Sequence, residues 1–311
     1  MQIPDRLRVG TRGSPLALAQ AHEVRDRLLA AHPGLAPEAV EIVTITTSGD
    51  RIQSKALREF GGKGLFTKEI EEALYEDRID LAVHSMKDMP TVLPDGLAIT
   101  CLLPREDPRD VFLSPRADSL EALPSGSVVG TASLRRQAQL RHRRPDLQVV
   151  TFRGSVNTRL RKLAEGEADA TFLALAGLRR LAMADRATAP VPVETMLPAV
   201  AQGAIGIEIR ENDRAVADAL TPLHDRDTEI RLAAERAFLA ALDGSCRTPI
   251  AGLALIEGDE VWFRGQILRP DGSESLEIER RGPPGEAAAL GREAGESLKA
   301  RAGDGFLDET S

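Results

Sequence analysis

The chain has 311 residues, 42% hydrophobic and 28% charged, and its 40 basic and 48 acidic side chains leave a net charge of −8. That length predicts two or three domains, and an acidic balance with 3% aromatic residues argues against a nucleic-acid binder. Two cysteines without metal-ligand spacing, no apolar run near the ~18 residues of a membrane span and no signal-peptide pattern at Met1-Gln2-Ile3-Pro4 lead us to expect a reduced, cytoplasmic protein without a metal.

In chain order, Leu7–Thr11 is predicted as a strand, followed by Ser14 as helix N-cap and Pro15 at the first helical position. Ala17, Ala21, Val24 and Leu28 fall at helical spacing until Pro33-Gly34. Val40–Thr46 is the next strand, Phe66–Tyr75 a helix and Ile79–Val83 a strand, an α/β order that implies a largely parallel sheet. After the polar stretch Pro104–Asp110 a second α/β block begins. Its strands are expected at Ser127–Gly130, Leu147–Thr151 and Asp169–Leu173, and its helices at Leu134–Arg143, Val156–Glu165 and Leu175–Leu181. Ala189–Pro198, with three prolines, reads as a linker. Ala204–Ile209 is one more strand, with a short helix near Ala215–Leu220. The last quarter holds a helix capped by Asp227 or Thr228, with Gly244 as its C-cap. Alternating runs at Ile250–Ile256, Val261–Leu268 and Ser273–Arg280 follow, then a closing helix over Pro283–Leu298.

The two α/β blocks echo each other. Val9-Gly10-Thr11-Arg12-Gly13-Ser14 and Val129-Gly130-Thr131-Ala132-Ser133 both run from strand into a Ser-capped helix, and Arg12-Gly13-Ser14 recurs as Arg153-Gly154-Ser155. Arg12, Arg135, Arg136, Arg153 and Arg159 sit in or just after such turns. A cation there opposes the helix dipole, so a bound anion would explain it; the alternative is that Arg135 and Arg136 are solvated helix residues paired with surface acids. His84-Ser85-Met86-Lys87-Asp88 lies at a strand's carboxyl end, where Asp88 is either a carboxylate for a cationic intermediate or a local cap. His84 by itself reads as structural. Gly61-Gly62-Lys63-Gly64 lacks the Ser/Thr of a P-loop and reads as a lid with one cation. Cys246, in Gly244-Ser245-Cys246-Arg247, is either a small buried apolar residue or a thiolate favoured by Arg247; Cys101 fits the buried reading.

Together these segments resemble the porphobilinogen deaminase (hydroxymethylbilane synthase) family. His-Ser-Met-Lys-Asp at 84–88, Gly-Thr-Ala-Ser-Leu-Arg-Arg at 130–136, Val9–Ala17, Arg105–Asp110, Arg153–Arg159, Gln202-Gly203-Ala204 and the Cys246 loop match its motifs in order over essentially the whole chain. The resemblance implies two periplasmic-binding-protein-like α/β lobes, 1–103 with 204–221 and 109–197, hinged near Pro104–Arg109 and Met196–Gln202. A small C-terminal α+β domain over 226–311 would complete the fold. It implies a monomeric transferase of tetrapyrrole biosynthesis that joins four porphobilinogen molecules on a dipyrromethane held by Cys246 through a thioether. Asp88 would be the catalytic carboxylate. Arg12, Lys63, Lys87, Arg135, Arg136, Arg153, Arg159 and Arg180 would hold acetate and propionate groups, with hydroxyl contacts from Ser14 and Ser133. Glu59 stands where many members carry Lys, Ser155 replaces the usual Asn and Ser245 the usual Gly. A rival reading, a solute-binding protein with the same lobes and no catalysis, leaves Cys246 without a role.

Overall fold

The computed structural model describes residues 4–51, 67–245 and 248–308. The chain runs through β1 (Leu7–Arg12), α1 (Pro15–Ala31), β2 (Val40–Ile45), α2 (Ser48–Arg51), α3 (Lys68–Tyr75), β3 (Leu81–Ser85) and β4 (Leu97–Leu102). It continues with β5 (Asp110–Leu113), β6 (Val128–Gly130), α4 (Leu134–Arg143), β7 (Gln148–Val150), α5 (Val156–Ala164), β8 (Ala170–Ala174), α6 (Leu175–Arg180) and β9 (Ala189–Pro190). It ends with β10 (Ile205–Arg210), α7 (Arg214–Leu220), α8 (Arg226–Ala241), β11 (Ile250–Glu257), β12 (Glu260–Leu268), β13 (Ser275–Gly282) and α9 (Ala287–Ala302). Two compact units result, one of Met1–Arg105 with Ala204–Glu229, the other of Glu106–Gly203 with Ile230–Ser311.

The first unit is a five-stranded sheet in the order β2-β1-β3-β10-β4. β1 pairs parallel with β2 and β3, and β10 runs antiparallel between β3 and β4. β10 alternates Ile205, Ile207 and Ile209, all fully buried, and these join Leu7, Val9, Val24, Leu28 and Leu81 in one core. The Ser14 hydroxyl caps α1 by accepting from the Ala17 amide at 3.2 Å, with Pro15 next in the helix. Cys101 lies in this core, where burial pushes its thiol up to about 12.

The second unit repeats the plan as β7-β6-β8-β5-β9, with β6 parallel to β7 and β8, and β5 antiparallel between β8 and β9. Each sheet therefore has one reversed strand, the one that follows a crossing between the units. The expected linker at 189–198 in fact opens with β9, whose two residues pair with β5 along the sheet edge. Proline is tolerated there because an edge strand can lack a donor.

In the same unit, β11, β12 and β13 form an antiparallel sheet, with α9 against β12 and β13 and Phe238 of α8 against Phe263 of β12. The first turn of α8 is capped by Asp225, whose carboxylate accepts from the Thr228 amide at 2.7 Å, so neither Asp227 nor Thr228 is the cap; the Thr228 hydroxyl instead accepts from the Arg105 amide at 2.9 Å. At the other end the left-handed residue is Asp243 (φ 51°), not Gly244, whose amide reaches back to the Leu239 carbonyl at 3.0 Å. Gly244 serves close packing instead: a Cβ would stand 2.4 Å from Ile250 and 2.6 Å from Leu239. The buried carboxylate of Glu235 accepts from the Ala201 amide at 2.6 Å and the Ala254 amide at 2.8 Å, tying α8 to the chain before β10 and to β11.

α9 lies on α8 through glycines. A Cβ on Gly291 would sit 1.9 Å from the Ala234 carbonyl oxygen, and one on Gly295 2.8 Å from that of Phe238. Backbone cannot yield as a side-chain tip can, so Gly291→Ala is expected to lower stability by about 1–3 kcal/mol despite alanine's better helix propensity. Urea unfolding would check this, and an unchanged midpoint would show that the helices separate freely.

Candidate active site

In the first unit the carboxyl ends of the neighbouring parallel strands β1 and β3 set the candidate residues on one sheet edge. Arg12 ends β1 and is half-buried, and Ser14 opens α1. Capping uses the Ser14 oxygen as acceptor and leaves its O–H able to donate. Beyond β3 the chain makes a single 3₁₀ turn over Met86–Asp88. Lys87 is half-buried there, whereas Asp88 is exposed and makes no hydrogen bond or ion pair to any described residue, so it caps nothing locally.

Buried contacts fix the strand that presents this turn. His84 Nε2 lies 3.0 Å from a carboxylate oxygen of Glu208 on β10, both side chains being buried, which gives His84 the structural role expected of it. Gln20 of α1 and Ser85 exchange hydrogen bonds of 2.8 and 3.1 Å. The sequence reading missed Gln20 and Glu208; each is a polar residue in an otherwise apolar buried pattern.

In the second unit the carboxyl ends of β6, β7 and β8 share one edge. Ser133 caps α4, accepting from the Arg136 amide at 3.4 Å. Ser155 caps α5, accepting from the Thr158 amide at 3.2 Å, so serine at this position keeps the capping function of asparagine. Arg153 stands two residues before that cap, and Arg180 ends α6, donating to the Gly203 carbonyl at 3.0 Å.

Arg135 and Arg136 are not solvated: they are 4% and 5% exposed and converge on Asp110, which is fully buried at the start of β5. Arg135 donates to Asp110 Oδ2 at 2.7 Å and to the Leu197 carbonyl at 2.7 Å. Arg136 donates to both Asp110 oxygens, at 3.2 and 2.8 Å, and to the Phe172 carbonyl at 2.9 Å. Gln202 adds a bond to Asp110 at 2.8 Å. Burial alone would raise the Asp110 carboxyl, but the two guanidinium charges and the bonds from Arg136 and Gln202 hold it well below the usual carboxylate range. The anion that the helix-terminal arginines called for is thus supplied in part from within.

It is supplied only in part. The side chain of Arg159, on α5, makes no hydrogen bond or ion pair to any described residue, and its buried Nε has no partner; nor has the Nε of Arg135. Burial and then the neighbouring Arg136 charge bring the Arg159 guanidinium down to about 10, still protonated at neutral pH. Arg135 and Arg136 therefore share the single carboxylate of Asp110, and the half-buried Arg159 adds a third guanidinium close enough to Arg136 to feel its charge. Such surplus buried charge costs stability unless an anion neutralises it, which fits a ligand bearing several carboxylates. Asp110 and Gln202 were not picked out in the sequence as site residues, although an acid opening an apolar strand signals a buried cationic partner. Lys63 and Cys246, with Glu59, Gly61–Phe66 and Arg247, lie outside the described residues.

The model for "Porphobilinogen deaminase, dipyromethane cofactor binding domain" matches residues 7–218, and that for "Porphobilinogen deaminase, C-terminal domain" matches residues 230–300. The porphobilinogen deaminase of Paracoccus denitrificans is 58% identical over 310 residues, covering 99% of each chain. The chloroplastic porphobilinogen deaminase of rice, Oryza sativa subsp. japonica, is 58% identical over 306 residues, 97% of this chain and 86% of its own. Among solved structures, the methionine-binding protein MetQ aligns at 16% identity with a TM-score of 0.44, covering 71% of this chain and 89% of that one.

Proposed function

The chain belongs to the porphobilinogen deaminase family, and we propose on that premise that it joins four porphobilinogen molecules head to tail into hydroxymethylbilane, releasing four ammonia molecules, in tetrapyrrole biosynthesis. The observation that carries the reading to individual residues is the buried surplus of guanidinium over carboxylate around Asp110. Porphobilinogen bears an acetate and a propionate, and fixed guanidiniums bind such groups through paired N–H bonds with little ordering cost. Arg135, Arg136, Arg153, Arg159 and Arg180 are assigned this task in the second unit, and Arg12 and Lys87 in the first. Lys63 is assigned with them. The serine hydroxyls at 14 and 133, used as acceptors by their own helices, are assigned to donate outward to ligand carboxylates, each in its own unit.

Dipyrromethane, the family's cofactor, supplies when bound the nucleophilic pyrrole carbon from which the chain is grown. Cys246 is the residue proposed to hold it. Ammonia loss leaves positive charge on a pyrrole nitrogen of the substrate. Asp88, exposed and without a partner among the described residues, is the carboxylate assigned to stabilise that charge. We also propose three domains, 1–103 with 204–221, 109–197 and 226–311, in a protein that works as a cytoplasmic monomer. Among the described residues no helix is long and apolar enough to cross a membrane.

The test is the denatured intact mass of purified recombinant protein, with porphobilinogen turnover followed in parallel. A mass excess equal to two linked pyrroles is expected, and Cys246→Ala should lose both the excess and the turnover. Folded protein supplied with porphobilinogen that kept the bare mass and consumed no substrate would overturn the reading.

A further inference from the structure

The buried carboxylate of Asp110 is saturated, and one of its donors carries no charge. A carboxylate offers about four acceptor sites. On Oδ2 they are taken by Arg135 at 2.7 Å and by Arg136 Nε at 3.2 Å, and on Oδ1 by Arg136 Nη2 at 2.8 Å and by Gln202 Nε2 at 2.8 Å. Gln202 thus fills the last site with a neutral donor. The same Nε2 donates to the Pro108 carbonyl at 2.7 Å. Both partners only accept, so the amide cannot be turned round. An acceptor left open on Asp110 would instead draw on the guanidiniums, whose idle N–H groups include the Nε of Arg135.

A strained turn sets the reach of Gln202. Its backbone amide donates to the Ala199 carbonyl at 3.0 Å, closing a turn whose third residue, Ala201, has φ 59°. Glycine is the usual residue there, because a Cβ is crowded in left-handed backbone. Glu235 of α8, itself fully buried, holds the alanine in place. One of its carboxylate oxygens accepts from the Ala201 amide at 2.6 Å, and the other is anchored by the Ala254 amide of β11 at 2.8 Å. Ala201 and Gln202 are each 1% exposed, so the turn has little solvent to bond with in place of Glu235.

We propose that Glu235 and Gln202 are positioning residues for the binding of ligand carboxylates. Glu235 holds the Ala201 turn, and the turn sets Gln202 on Asp110. Gln202 saturates Asp110, so that Arg135 and Arg136 present their remaining N–H groups in one fixed arrangement. Neither Glu235 nor Gln202 is assigned a contact with the ligand. The inference rests on the task given above to the two arginines.

The test is porphobilinogen kinetics on the full chain, with the cofactor of each variant checked by intact mass, beside urea unfolding of the same proteins. Gln202→Leu and Glu235→Gln should each raise KM about tenfold with kcat changed less than about twofold. A merely structural loss would shrink the active fraction, and with it the apparent kcat, and leave KM alone. The double variant should raise KM no further than either change by itself, because both act through one contact. Ala201→Gly added to Glu235→Gln should bring KM back to within about twofold of the natural value, since glycine is left-handed without help. The urea midpoints should be non-additive in the same cycle, a reading of the coupling that needs no turnover. Absence of turnover in the natural protein would be the failure of the reaction itself, and the unfolding cycle would then decide the positioning. Should Glu235→Gln not fold, a natural KM in Gln202→Leu still overturns the proposal. Additive effects in either cycle, or no rescue by Ala201→Gly, would overturn it as well.

Discussion

Asp88→Asn is expected to lower turnover of porphobilinogen by roughly 10²–10³-fold, the usual cost of removing one preorganised electrostatic group, while the protein stays folded and keeps its covalent mass excess. The side chain is exposed and bonded to no described residue, so the change removes charge without disturbing packing. The turn that carries it rests on the His84–Glu208 and Gln20–Ser85 contacts, neither of which involves position 88. Binding through the arginines should survive, so the loss is expected in kcat with KM little changed. Steady-state kinetics and intact mass on one preparation check both parts. Near-normal kcat would remove Asp88 from the proposed role.

Asp110→Asn has the largest expected effect on stability, about 3–5 kcal/mol, because it withdraws the negative charge from a buried cluster and leaves the cations in place. The new amide also sets N–H donors against the N–H groups of Arg136. Urea unfolding at neutral pH measures the loss. Its pH dependence gives a second check. A carboxyl held below its usual range contributes stability that is complete above the unfolded-state value of about 4 and disappears as pH falls through the lower folded value. The gap between the natural protein and the variant should therefore narrow below about pH 4. A gap that stays constant down to the acid transition would mean that Asp110 acts through shape and not charge.

The strand-and-helix order was legible because local signals agree. Ser14-Pro15 starts α1, and α4 runs over Leu134–Arg143, the range expected after the Ser133 turn. β5 was missed because its four residues follow a long polar stretch and open with a charge. The cap at Asp243 was missed because glycine is the usual left-handed residue, and here Gly244 is occupied by contact with Leu239 and Ile250. At the candidate site the arginines stood out as residue types in repeated turns. Their burial did not, because the carboxylate that joins Arg135 and Arg136 lies 25 and 26 residues away in sequence. Such partners are set by sheet order, which local periodicity does not report.

The place of β10 has a consequence for biosynthesis. It fills the middle of the first sheet, between β3 and β4, yet it emerges from the ribosome about 100 residues after β4, which at ordinary rates of elongation means roughly 5–20 s. Through that interval the nascent first sheet has two unpaired inner edges and an open core, while the second sheet has all its strands by Pro190. The later-made sheet is therefore the first that can close during synthesis, and the amino-terminal segment is the one exposed to chaperones while it waits.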